Sequence, residues 1–217
     1  MPFQSFQITQ FRCHDSLLWR PVPGVNVLAG ANGVGKTSLL EAVNLLCLTR
    51  GFGQDQHLLQ AGADFYFVEG QWQGPERGHR YQVSYQKGQG KKLLRDGNAV
   101  PRLSDHIGEL PVVSLLPEDT DLIREGSSLR RQWLDATLAQ TNRRYLDALL
   151  RYTRALKQRN ALLSQLAQQG GSDAGQLELW DLQLAEAGQT LVARREKFFE
   201  AFRPSFDAAF ATIVDEA

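Results

Sequence analysis

Apolar and polar side chains alternate from Phe3 to Phe11, the period of a half-buried strand. Val25-Asn26-Val27-Leu28 is a second short apolar run, predicted as a strand, and Ser38 to Leu46 follows with helical spacing. Gly51-Phe52-Gly53 then breaks the chain. Phe65–Val68, His79–Tyr85 and Lys91–Arg95 are predicted as an antiparallel meander, punctuated by Gly74-Pro75, Gly88-Gln89-Gly90 and Asp96-Gly97. Pro111 to Leu116 is a run apolar but for Ser114, predicted as a strand suited to the buried middle of a sheet.

Past Gly126 the period changes to that of helices. Tyr145, Leu149, Tyr152, Leu156 and Leu163 fall on one stripe, and Leu177, Trp180, Leu184, Ala187, Leu191 and Phe198 on another. Gln169 to Gly175 separates them. Two apolar stripes around a short glycine-containing connection predict an antiparallel helical hairpin, either covering a domain core or projecting from it. The expected organisation is therefore a first lobe over 1–126, a helical second lobe over 127–204, and the start of a return to the first lobe over 205–217.

The strand at 25–28 and the helix from Ser38 frame Gly30-Ala31-Asn32-Gly33-Val34-Gly35-Lys36-Thr37, which fits the Walker A pattern of a phosphate-binding loop. Glycines let the backbone wrap tightly enough for successive N–H groups to converge on phosphate oxygens. Lys36 is at the position that reaches the terminal phosphates, and the Thr37 hydroxyl at the position that ligates Mg²⁺. Ser38 opens the helix whose N-terminal dipole favours the same anion. ATP and Mg²⁺ are the expected ligands, held by Gly30 to Ser38 with Thr37 on the metal.

Composition narrows the alternatives only slightly. The 217 residues carry 24 basic and 24 acidic side chains, so net charge gives no argument for a polyanionic partner. Cys13 and Cys47 form no metal-binding spacing, the four histidines are scattered, and the N-terminal residues lack the character of a signal peptide. No apolar run approaches a membrane span. A cytoplasmic protein with reduced thiols and no membrane partner is expected. Local charge is more telling. Between Ser127 and Asn160 eight basic residues stand against two acidic ones, and Arg144, Arg151 and Arg154 recur at helical steps. Such a face can track a nucleic-acid backbone without reading bases.

Hydrolysis requires more than a phosphate loop, normally an acidic residue closing an apolar strand. Val112 to Leu116 leads into Pro117-Glu118-Asp119, the best candidate by composition, although Pro117 fixes φ between strand and carboxylates. Ile213-Val214-Asp215-Glu216 is the second candidate.

The ordered set Phe11-Arg12, Gly30 to Thr37 with Ser38-Leu39-Leu40-Glu41-Ala42, Pro117-Glu118-Asp119, Arg130-Arg131-Gln132-Trp133-Leu134-Asp135 and Leu156-Lys157-Gln158-Arg159-Asn160 resembles the amino-terminal part of the RecF family. These are recombinational repair ATPases related to SMC and ABC-type heads. The resemblance implies an α/β P-loop ATPase head, with a mixed sheet around the P-loop helix, an antiparallel meander and a helical hairpin lobe. It implies that Arg12 lies near the nucleotide and that Glu118 falls near the γ-phosphate-sensing loop, with Lys36 and Glu118 serving catalysis. It further implies ATP-dependent homodimerisation on DNA gaps or junctions and recombination mediators as partners. The signature loop and Walker B strand of such proteins lie beyond the hairpin, so the chain reads as a fragment. Where relatives often carry Phe-Arg, this chain has Phe52-Gly53. The rival readings are a P-loop kinase acting on a small molecule and a non-hydrolysing ATP- and DNA-binding module.

Overall fold

A computed structural model describes residues 3–74, 77–124, 126–169 and 174–215. Two compact units divide the chain, Met1–Ser114 and Leu115–Ala217, so the division falls before the change of period at Gly126.

The first unit is an antiparallel sheet with one long helix against it. Its strands are β1 (Phe3–Phe11), β2 (His14–Trp19), β3 (Phe65–Gln73), β4 (Gly78–Gln86), β5 (Gly90–Arg95) and β6 (Asn98–Ala99), in the spatial order β2-β1-β3-β4-β5-β6. β1 buries Phe3, Phe6, Ile8 and Phe11. The odd step from Phe3 to Phe6 is explained by a register shift against β3 between Phe3 and Ser5. The meander has the turns its glycines announce. Asp96 and Gly97, at φ 52° and 81°, connect the Arg95–Asn98 pair in a tight hairpin.

Helix α1 (Lys36–Leu48) buries Leu39, Ala42, Leu45 and Leu46 against the sheet. Gly70 on β3 permits the approach. A Cβ there would lie 2.5 Å from Leu46 Cδ2 and 2.7 Å from Phe3 Cε1. Thr49, left-handed at φ 56°, ends the helix just before the predicted break. Lys91 Nζ donates to the Thr49 carbonyl and pairs with Asp55 at 2.6 Å, placing a cation at the negative end of α1.

Two predicted strands do not form. Residues 25–28 and 111–116 belong to no strand, and Val25, Val27, Val113 and Leu115 are 83–91% exposed. Among the described residues the sheet is therefore antiparallel throughout rather than mixed around the P-loop helix. Their apolar character matched a buried strand, but a strand also needs a neighbour to pair with.

The second unit is helical. After a 3₁₀ turn at Pro117–Thr120 come α2 (Asp121–Arg124), α3 (Ser127–Thr141), α4 (Arg143–Gln169) and α5 (Ala174–Asp215). Leu134, Leu138, Tyr145, Ala148 and Leu191 form its core, with Leu149, Tyr152 and Phe198 packed against it. α4 and α5 are the predicted hairpin; residues 170–173 of its connection lie outside the described residues. α5 runs unbroken past Pro204, so no element boundary falls at 204/205, and Ile213-Val214-Asp215 is helical. A Walker B strand at that position is ruled out by the same helix.

Candidate nucleotide-binding site

The glycines of the loop take backbone conformations that favour glycine. Gly30, Gly33 and Gly35 adopt φ of 157°, 85° and 96°, a region closed to most side chains. Gly35 is the N-cap of α1, and no side chain caps the helix, so its first amides are left for a ligand. Lys36 Nζ donates to the carbonyls of Gly30 and Ala31, each at 2.8 Å. The ammonium thus lies across the loop on two weak acceptors, which an anion would readily replace. Thr37 is exposed at the first turn of the helix, and Ser38 is half-buried beside it.

Arg12 reaches the same helix by another route. Its Nε and Nη2 donate to Glu41 Oε2 and Oε1 at 2.7 and 2.9 Å, a bidentate pair. Hydrogen bonding to Glu41 raises the guanidinium pKa above its ordinary value, against the opposing effect of burial. The Glu41 residue is 3% exposed and also accepts the Phe52 N–H at 2.8 Å. One carboxylate on α1 therefore ties the end of β1 to the segment after the helix. Gly53 sits alongside, where a Cβ would be 3.7 Å from Arg12 Nη2.

Two residues the sequence did not single out complete the surroundings. His14 Nε2 is 3.1 Å from the Gly35 carbonyl, and Cys13 Sγ is 3.9 Å from Ser38 Oγ. Both side chains pack on Gly35, where a Cβ would meet His14 Nε2 at 2.3 Å and Cys13 Sγ at 2.6 Å. That crowding gives Gly35 a reason beyond its φ. The only signal in the sequence was the adjacency of Cys13 and His14 to Arg12.

The remaining predicted residues belong to the second unit. Glu118 is in the 3₁₀ turn at Pro117–Thr120, and its side chain lies outside the described residues. Asp119 next to it accepts the Leu116 N–H at 2.7 Å, the bond of a local turn. Arg144, Arg151 and Arg154 are all exposed on α4, within an arc of about 80° at helical geometry. Arg151 leans on Glu186 of α5 at 3.5 Å. Among the described residues no cluster of three His, Cys, Asp or Glu could hold a metal, and no helix is long and apolar enough to cross a membrane.

Comparison with known proteins follows the same lines. The AAA domain family matches residues 3–207. A DNA replication and repair protein RecF from Chlorobium phaeovibrioides is 39% identical over 209 residues, covering 94% of this chain and 56% of that protein. One from Salinibacter ruber is 34% identical over 217 residues, covering 98% and 53%. The chain thus spans about half the length of the curated relatives it matches. Among solved structures, the recombination mediator protein RecF with ATP superposes with a TM-score of 0.86 at 28% identity, covering 91% of this chain and 54% of that one. An SMC ATPase described by its ATP-driven dimerisation shares the fold, with a TM-score of 0.51 at 14% identity over 62% of this chain and 98% of that one.

Proposed function

The chain belongs to the AAA domain family and resembles the amino-terminal portion of RecF, and from that premise we propose that it is the nucleotide-binding part of an ATPase of recombinational DNA repair and replication-fork maintenance. The observation that carries this reading is the loop Gly30–Thr37, with its three left-handed glycines and its uncapped helix start. The residues fit a triphosphate. Backbone amides and the α1 dipole would hold the phosphates, Lys36 would leave the Gly30 and Ala31 carbonyls for them, and the exposed Thr37 hydroxyl would ligate Mg²⁺. Bound Mg²⁺ would neutralise phosphate charge there.

ATP in this role is a conformational ligand that favours a closed homodimer over DNA. The exposed arginines of α4 support DNA contact of a backbone-directed kind, on gaps or junctions, with recombination mediators as protein partners. Glu118 as a γ-phosphate sensor and Arg12 as a nucleotide contact belong to the same proposal. Arg12 is held by Glu41, so its share in binding is to set the position of α1 until a phosphate competes for it.

Replacing Lys36 tests the reading most directly. Lys36→Ala is expected to abolish ATP binding by the folded protein, measured calorimetrically with Mg²⁺ present. Unchanged affinity would sink the assignment of the loop.

A further inference from the structure

Three successive residues around the β1–β2 turn run along one face of the P-loop helix. Arg12 meets Glu41 at 2.7 Å, Cys13 lies 3.9 Å from Ser38, and His14 lies 3.1 Å from Gly35. Residues 35, 38 and 41 are spaced by three and so share a helix face. The last contact bears on phosphate binding in a way the other two do not.

A carbonyl oxygen can only accept, so His14 Nε2 must carry the proton and donate to it. The Gly35 oxygen already accepts the Leu39 N–H at 3.0 Å, the first bond of the helix. His14 adds a second donor to the same atom. The peptide from Gly35 to Lys36 is planar and trans, with its C=O and N–H pointing in opposite directions. Holding the Gly35 oxygen toward His14 and Leu39 therefore turns the Lys36 N–H the other way, out of the open helix start. That amide is among the uncapped donors on which a phosphate would be seated. Glycine has little conformational preference of its own, so the orientation of this peptide depends on what grips it.

We propose that His14 is a positioning residue of the phosphate loop, whose Nε2–H fixes the Gly35 carbonyl and thereby aims the Lys36 amide at the phosphates of a bound nucleotide. The inference rests on the nucleotide-binding reading above, and it concerns a donor rather than a shape. Glutamine at this position presents an N–H near the place of Nε2, whereas phenylalanine and leucine fill space without donating.

ATP affinity is measured with Mg²⁺ for the wild type, His14→Phe, His14→Leu, His14→Gln and Lys36→Ala, with melting midpoints of each free protein. His14→Phe and His14→Leu should weaken binding about fivefold, the size of one ordinary hydrogen bond. His14→Gln should stay within about twofold of wild type by the same reasoning. Comparable midpoints across the His14 series would place the difference in the site rather than in the fold. If His14→Gln binds as weakly as His14→Phe, the residue acts by packing and the proposal is overturned. A flat His14 series beside a Lys36→Ala protein that has lost binding would overturn it alone. A wild type no better than Lys36→Ala would remove the nucleotide reading, and His14's role with it.

Discussion

His106 donates from Nε2 to the Leu46 carbonyl of α1 at 2.7 Å, with the Tyr81 ring 5.1 Å away and 2% of its surface exposed. Burial lowers its pKa below the ordinary 6.5, outweighing the hydrogen bond to Leu46 and the charge of Glu109, which act the other way. Below pH 6.5 the unfolded chain therefore takes up a proton that the folded one resists, and stability falls as pH falls. The expected outcome is a melting midpoint that declines from pH 7.5 to 5.5, with a shallower decline in His106→Gln, which can keep the bond. An identical decline in both proteins would assign the effect to other groups. Residues of this kind show what a sequence conveys at the smallest scale. Gly30 to Thr37 could be read because the loop's chemistry is contained in eight consecutive positions. Glu41 and His14 could not, since their partners stand 29 and 21 positions away and nothing local marks the pairing.

Periodicity reported side-chain character faithfully and pairing less so. β1, β3, β4, β5, α1 and the α4–α5 hairpin were legible, because their apolar runs and the turn residues between them are local signals. β2 was not, since His14–Trp19 lies at the sheet edge with only three half-buried positions. Segments 25–28 and 111–116 erred in the opposite sense. In the helical unit the tie between elements is polar. Asp135 of α3, Tyr145 of α4 and Arg195 of α5 form a closed triangle, with Arg195 at 2.6 Å from Asp135 and 2.9 Å from the Tyr145 hydroxyl, which itself donates to Asp135. Burial, followed by the hydrogen bond to Asp135, pushes the Tyr145 pKa up to about 12, so the phenol keeps its proton. This triangle fixes the base of the hairpin and leaves the outer face of α4 free to serve another purpose. Arg151 is held only by an exposed 3.5 Å pair with Glu186, worth little in water. Reversing Arg144, Arg151 and Arg154 to Glu should weaken DNA binding and lower the salt slope by roughly 2–3, near the loss of three phosphate contacts. An unaltered slope would remove this face from the DNA interface.

Across the whole molecule, large apolar side chains lie uncovered in both units. Val25, Val27 and Val113 are at least 83% exposed in the first, as is Leu115 in the second, and Phe206, Phe210 and Ile213 of α5 exceed half exposure. Exposed branched side chains clustered in this way favour association between molecules. The purified chain should therefore self-associate with rising concentration, and Val25→Lys with Val27→Lys should raise the concentration at which light scattering begins. Scattering that is indifferent to both changes would place the contact on another surface, with α5 the next to examine.

The packing of Cys13 against Gly35 makes the molecule a candidate for optical titration. Of its two thiols, Cys47 is buried and its pKa is pushed up to about 12, which leaves it inert to reagents near neutrality. Cys13 is exposed. A maleimide dye should couple to the folded protein once per chain, beside the phosphate loop, without any engineered site. Prior addition of Mg·ATP should slow that coupling, whereas equal rates with and without nucleotide would show that the thiol is untouched by what the loop holds.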